Sequence, residues 1–203
     1  YYTFDSDAQT TENGKAVIEF DFYMTNTGNE NINQLVLLDS AAGNPKGNAN
    51  YSGNNYIFSF TQPKNSDKLI INNLDGSKET YTTTDWTNKS GWTHAKAIMD
   101  FTEHNVTITL SSPDGETIYF DNKVPMGTDG TAIGKLLICE ARKSTATFGI
   151  DNIVVRAYDS ALDAGSAYYT VTYDVKGNTT EEAVKGNACL LYTSPSPRDT
   201  ERS

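Results

Sequence analysis

The sequence has too few cysteines to build a disulfide framework. Its 203 residues include two, and Cys189 lies in a Pro- and Ser-containing tail unlike the Asn- and Thr-rich chain before it. The other, Cys139, occupies the apolar stretch KLLICEARK, where a lone cysteine is typical of a buried small hydrophobe rather than a reactive thiol. The sequence therefore gives no disulfide pairing from which to argue a fold.

Long apolar runs and basic clusters are also lacking. No stretch approaches the ~20 apolar residues that cross a bilayer as a helix, so we predict no membrane span. Asp and Glu total 26 against 16 Lys and Arg, and the formal net charge is -10. Because an acidic surface repels phosphate backbones, we predict that nucleic acid is not a partner.

Long amphipathic helices are missing too, and short alternating strands take their place. In KAVIEFDFYM the apolar residues alternate with Glu19, Asp21 and Tyr23, which is the period of a half-buried strand. About ten such runs, separated by Asn-Gly and Asp-Gly turns, favour an all-β antiparallel two-sheet jelly-roll sandwich. The segment NVTITLSSPDGETIYFDN predicts a hairpin that turns at Pro113-Asp114-Gly115.

The pattern changes toward the C-terminus, and we divide the chain accordingly. Residues 1–159 form the predicted sandwich module, and the small-residue segment 160–167 is a predicted linker. Residues 168–188, which open with YYTVTYDV, begin a second small β module. Residues 189–203 form a separate tail.

The stretches AVIEFDFYM, AIMDFTEHNVTITL and FGIDNIVVRAY occur in an order that resembles concanavalin A-like, or laminin G-like, jelly rolls. Such modules occur in secreted glycan-degrading and adhesive proteins of gut-type bacteria. The resemblance implies an extracellular or cell-surface location and covalently linked neighbouring domains in a larger bacterial protein. Because fold does not fix function, the site residues must be argued separately.

Two shorter segments carry further resemblances. The second module is similar to the YTVTY-type repeat modules of secreted bacterial proteins. The run Cys189–Asp199 resembles the in-frame translation of a transposon-type sequencing adaptor. We therefore expect residues 189–203 to be adaptor-derived and the chain to be a metagenomic fragment, and exclude the tail from fold reasoning.

The sequence does not complete a glycosidase motif. Jelly-roll glycosidases of the laminarinase type carry Glu-x-Asp-x-x-Glu, because retaining hydrolysis needs two neighbouring carboxylates. Here Glu19 and Asp21 are followed by Met24 where the second Glu would stand. His94 and His104 do not have the His-Glu-x-x-His spacing of a metal site. We predict that the module is not an enzyme.

Aromatic and polar residues together predict a glycan site, since sugars stack C–H faces on rings and hydrogen-bond through hydroxyls. The stretch YTTTDWTNKSGWTHA contains both tryptophans of the chain. Trp86 is the preferred stacking residue, while the alternation leaves the exposure of Trp92 open, and either tryptophan is alternatively a core anchor. The full set of predicted ligand-binding residues is Tyr51, Tyr56, Tyr81, Asp85, Trp86, Asn88 and Trp92.

A structural calcium ion is a further candidate. Oxygen ligands suit this cation, and the chain ends of a jelly roll lie near each other. The candidate ligands are Asp5, Asp7, Asp151 and Asn152, although Asp151-Asn152 is equally consistent with a turn.

These observations favour a non-catalytic, carbohydrate-binding module whose partner is a polysaccharide or other glycan. Two alternatives stay open. One is a structural or adhesive spacer that binds protein or no ligand, and the other is a degenerate glycosidase or polysaccharide lyase domain.

Overall fold

The computed structural model describes residues 1–5, 14–25, 33–43, 55–72, 79–139 and 147–163, with the backbone of 168–175 and 178–185. The chain divides into two compact units, Tyr1–Tyr158 and Asp159–Ser203. Within the described ranges, no helix is long and apolar enough to cross a membrane. The elements are β1 (Tyr2–Thr3), β2 (Lys15–Thr25), β3 (Asn33–Asp39), β4 (Tyr56–Gln62), β5 (Ile70–Asn72), β6 (Thr80–Thr82), β7 (Thr93–Asp100), β8 (Asn105–Ser111), β9 (Ile118–Pro125), β10 (Ile133–Cys139), β11 (Thr147–Ala157), α1 (Ser160–Asp163), β12 (Tyr168–Val175) and β13 (Asn178–Lys185).

The first unit is a sandwich of two antiparallel sheets, which confirms the predicted fold class. The six-stranded sheet has the order β1-β10-β3-β4-β5-β6, and the five-stranded sheet has the order β11-β2-β7-β8-β9. All neighbouring strands pair antiparallel. Because successive strands often lie in different sheets, the chain crosses between the layers repeatedly.

The main core lies between the two sheets. Phe20 and Phe22 of β2 are fully buried, and Phe22 stacks on Phe60 of β4 with ring centroids 5.5 Å apart. These contacts join one sheet to the other. The opposite side of β2 carries the half-buried Glu19 and Asp21, so the predicted alternation of this strand is confirmed.

A second apolar cluster lies on the outward face of the six-stranded sheet. Its members alternate along β3 and β10 with the side chains that face the main core. Cys139 belongs to this cluster and is buried, which confirms the interpretation of this cysteine as a small hydrophobe. The cluster contains Val36, Leu38, Ala42, Tyr56, Leu137 and Cys139.

The predicted hairpin is formed by β8 and β9. The backbone N–H of Gly115 donates to the carbonyl of Ser112 at 2.8 Å, and Gly115 has a φ of 75°. Asp114 accepts from the hydroxyl of Ser112 and from the N–H of Glu116, and these bonds lower the pKa of its carboxyl. Turn chemistry therefore fixes this connection locally.

The second unit contains a short helix and a hairpin. Ser160–Asp163 form α1 within the predicted linker, and the N–H of Asp159 donates to Asp163 Oδ2 at 2.9 Å. β12 and β13 pair from Tyr168 opposite Lys185 to Val175 opposite Asn178. The predicted tail, 189–203, lies outside the described residues.

Candidate functional site

The two tryptophans have opposite environments. Trp86 is 2% exposed, and its indole N–H donates to the hydroxyl of Thr93 at 2.8 Å. Thr93 is itself fully buried. A buried indole needs a partner for its N–H, and Thr93 supplies it. The prediction that Trp86 stacks on a ligand is therefore wrong, because the ring packs in the core between the sheets.

Trp92 lies on the outward face of the five-stranded sheet. It is 43% exposed and directly precedes β7, where the pairing of Thr93 with Phe22 brings it opposite Tyr23. The two ring centroids are 6.2 Å apart with an interplanar angle of 42°. The alternation along β7 thus leaves the indole partly accessible to a ligand.

The benzo edge of Trp92 reaches across β2 to β11. A Cβ atom built on Gly149 would lie 3.0 Å from Cη2 of the indole, and Gly149 pairs directly with Tyr23. The absence of a side chain at Gly149 therefore gives the indole room to lie over this strand. Three neighbouring strands position the aromatic group.

Polar groups occupy the next cross-strand row. His94 Nδ1 lies 2.8 Å from Asp21 Oδ1, and since a carboxylate only accepts, the imidazole donates. The amide of Asn152 donates to Asp21 Oδ2 at 2.7 Å. The N–H of Asn152 contacts Asp151 Oδ1 at 2.8 Å, and Asp151 pairs across the strands with Asp21.

We call this combined surface the Trp92 face. It has an exposed ring beside fixed hydrogen-bonding groups, which is the composition that sugar recognition requires. Asn152 adopts a φ of 53° at a register shift of β11, a conformation that non-glycine residues rarely take. The Trp92 face consists of Asp21, Tyr23, Trp92, His94, Gly149, Asp151 and Asn152.

Tyr56 does not line a cleft. Its side chain is 2% exposed and belongs to the outward cluster of the six-stranded sheet. A Cβ on Gly127 would overlap the Tyr56 ring, so the ring is closely packed there. The prediction that Tyr56 contacts a ligand is wrong for this reason. Tyr51, from the same predicted loop, lies outside the described residues.

The remaining predicted ligand residues lie outside the strands that surround Trp92. Tyr81 lies on β6 of the six-stranded sheet, where its hydroxyl donates to Glu79 Oε2 at 2.8 Å. This hydrogen bond, with partial burial, raises the pKa of Tyr81. Asp85 is exposed with a φ of 55°, and Asn88 is half-buried. Ligand contact by these three stays a prediction.

The predicted calcium ligands are divided between the two sheets. Asp5 follows β1 of the six-stranded sheet, whereas Asp151 and Asn152 belong to β11 of the five-stranded sheet. Asp7 lies outside the described residues. In the part of the chain that the structure describes, no group of three or more His, Cys, Asp or Glu side chains could hold a metal. Asn152 instead contacts Asp21.

Sequence reasoning missed Asp21, Tyr23 and Gly149 as site residues. The alternation of KAVIEFDFYM predicts Asp21 and Tyr23 on the polar side of a half-buried strand, which is where they lie. The signal that makes them a site is the pairing of β11 with β2, and local alternation does not contain it. Trp92, Asp151 and Asn152 were named for two different sites, and the structure brings them to one face.

No protein-family model and no curated protein sequence matches the chain. Among solved structures it is similar to a sialidase, at 13% identity and a TM-score of 0.49 over 77% of this chain. The chain spans 14% of that sialidase's length. It is also similar to arcelin-5, a lectin-like defense protein from Phaseolus vulgaris, at 11% identity and a TM-score of 0.38, with 72% of this chain and 76% of arcelin-5 covered.

Proposed function

We propose that the first unit is a non-catalytic carbohydrate-binding module and that the Trp92 face is its binding site. The observation that carries this proposal is the exposed indole of Trp92 lying over Gly149, directly beside the Asp21–His94–Asn152 network. A pyranose ring would stack its C–H face on the indole. Its hydroxyls would then bond to the neighbouring carboxylate and amide groups.

The hydrogen bonds of the network favour binding over catalysis. Both oxygens of Asp21 are engaged, one by His94 and one by Asn152. Glu19, the other carboxylate of β2, contacts Arg156 Nη2 at 2.6 Å. Met24, where a laminarinase-type motif would have its second Glu, is buried in the core. This chain therefore lacks the carboxylate pair of that motif.

The biological setting is part of the same proposal. The likeness of FGIDNIVVRAY to concanavalin A-like modules supports a secreted or cell-surface bacterial protein with further linked domains. A structural calcium ion held by Asp5, Asp7, Asp151 and Asn152 stays part of the proposal, because these residue types supply the oxygen ligands that calcium takes. Thermal unfolding with and without a chelator would test the ion independently of glycan binding.

The proposal is tested by screening the full chain on a glycan array and against soluble polysaccharides. Trp92→Ala should weaken binding by about tenfold or more, since a stacking contact contributes on the order of 1 kcal/mol and its apolar area contributes further. Gly149→Ala should weaken it less, because its Cβ would shift the indole by a few tenths of an ångström.

The matched control is Tyr2→Ala, which removes an exposed aromatic ring from the six-stranded sheet and should leave binding unchanged. Circular dichroism confirms that each variant is folded. Equal binding by Trp92→Ala and the unmodified chain would reject the Trp92 face as the site. A folded chain that binds no glycan would instead favour the structural or adhesive spacer.

A further inference from the structure

We infer that the Trp92 face takes a neutral sugar unit and discriminates against acidic sugars such as uronates and sialic acids. This inference rests on the proposed function, because it names the substrate class of the same site. It follows from the charges that the strand register places around the indole.

Along the paired strands, carboxylates are the charges that the register places nearest to the indole. Asp21 and Asp151 pair across β2 and β11 in the row beside the one that holds Tyr23 and Gly149. A sugar stacked on Trp92 therefore has two carboxylates within about two residue spacings, roughly 7 Å along a strand. A negatively charged substituent on that sugar would be repelled by both.

The arginine and lysine of these strands lie farther from the indole than Asp21 and Asp151, beside another carboxylate. Arg156 contacts Glu19 at 2.6 Å, and Lys96 pairs across the strands with Glu19. His94 is the remaining basic group on the strands around the indole, and its Nδ1 is directed at Asp21. Lys89 is an exposed lysine of the turn before Trp92. The described surroundings of Trp92 thus offer an acidic sugar no bidentate arginine clamp of the kind that carboxylates favour.

The same carboxylates suit the hydroxyl groups of a neutral sugar. A carboxylate accepts hydrogen bonds and cannot donate them, so it bonds to sugar hydroxyls as donors. Asp21 is fixed in orientation by His94 and Asn152, and the exposed Asp151 stands beside it. The unusual φ of Asn152 holds its amide against Asp21, and such outliers often accompany ligand sites.

A matched pair of ligands tests this inference. The polysaccharide that binds best in the screen is compared with a chemically converted form of the same polymer. If the polysaccharide is neutral, its primary hydroxyls are oxidised to carboxylates. If it is acidic, its carboxyls are reduced to hydroxyls. Affinities are measured by calorimetry at low and at moderate salt. At low salt we expect the affinity for the neutral form to be higher by about tenfold or more. This difference in affinity should shrink at moderate salt, because salt screens the charge repulsion.

The variant Asp151→Asn sharpens the comparison, because it removes one charge and keeps the side-chain size. This variant should lower the ratio of the affinity for the neutral polymer to that for the acidic polymer several-fold. Asp67→Asn, at an exposed turn away from β11, is the control and should leave the preference unchanged.

The outcomes separate the two proposals. Binding that depends on Trp92 but favours the acidic polymer at low salt overturns this inference and leaves the proposed function standing. Binding that does not depend on Trp92, or the absence of glycan binding, overturns the proposed function and this inference with it. Trp92-dependent preference for the neutral polymer, narrowed by Asp151→Asn, supports both.

Discussion

On the six-stranded sheet, β3 and β4 are buried along their whole length, whereas on the five-stranded sheet β2 and β7 alternate buried and half-exposed side chains. The outward face of the first sheet holds an apolar cluster that includes Val36 and Leu38. The outward face of the second holds ion pairs, hydrogen-bonded polar groups and the exposed Trp92.

The two outward faces therefore differ in role: the apolar one contributes to stability, and the polar one is available for recognition. Apolar side chains buried on both faces of a sheet stabilise the fold but leave no surface for a ligand. Polar side chains on an outward face contribute little to stability, since water competes for their hydrogen bonds. The five-stranded sheet can therefore present the Trp92 face without weakening the core. Three experiments would test this comparison.

The largest effect is expected for Leu38→Ala, on the outward cluster of the six-stranded sheet. Leu38 is fully buried, and removing a buried leucine side chain costs about 2–5 kcal/mol. The measurement is the free energy of unfolding from urea denaturation. Leu37→Ala, which faces the main core, is the matched variant. A loss below about 1 kcal/mol for Leu38→Ala beside a large loss for Leu37→Ala would show that the outward cluster is not a second core.

A smaller effect is expected for Asp100→Asn, on the outward face of β7. Asp100 accepts hydrogen bonds from the N–H groups of Thr102 and Glu103 at 3.1 and 2.9 Å, and it contacts Lys15 Nζ at 3.0 Å. Desolvation raises the pKa of this carboxyl, but these hydrogen bonds and the Lys15 charge outweigh it, and the pKa is lowered. The substitution should cost about 1 kcal/mol at pH 7.

The lowered pKa gives this contribution a defined pH dependence. A carboxyl with a depressed folded-state pKa stabilises the protein above its unfolded value of about 3.9, and that stability is lost as the pH falls through the folded-state value. The difference between the unmodified chain and Asp100→Asn should therefore be constant from pH 7 to about 5 and shrink below about 4. The control is Glu103→Gln, which changes a neighbouring carboxyl but keeps the backbone N–H that donates a hydrogen bond to Asp100. A difference that stays constant down to pH 2 would contradict the assignment.

Much of the fold is predictable from the sequence because its signals are local. The alternation in KAVIEFDFYM follows from the two-residue period of a strand, and it correctly separates Phe22 from Tyr23. The hairpin of β8 and β9 follows from Pro113-Asp114-Gly115 and the alternating residues on either side. In both cases the deciding interactions lie within a few residues of each other.

The candidate site was less predictable because it depends on pairing between distant segments. Trp86 directly precedes the polar stretch TNKSG, which suggests exposure, but its indole N–H donates to the buried hydroxyl of Thr93. Gly149 becomes part of the aromatic surface only because β11 pairs with β2 in one register. A single-residue slip of β11 would turn Gly149 and Asp151 toward the core, and no local pattern specifies that register.

The smallest effect is expected for the ion pair between Glu19 and Arg156, which borders the Trp92 face. Both side chains are partly exposed, and such pairs contribute about 0.2–1 kcal/mol because solvent and salt screen them. A double-mutant cycle with Glu19→Gln and Arg156→Gln isolates this coupling free energy, and added salt should reduce it. A coupling free energy above about 2 kcal/mol would mean that this ion pair contributes to stability as a buried pair does. The contrast between the two outward faces would then rest on chemical type alone and not on their contribution to stability.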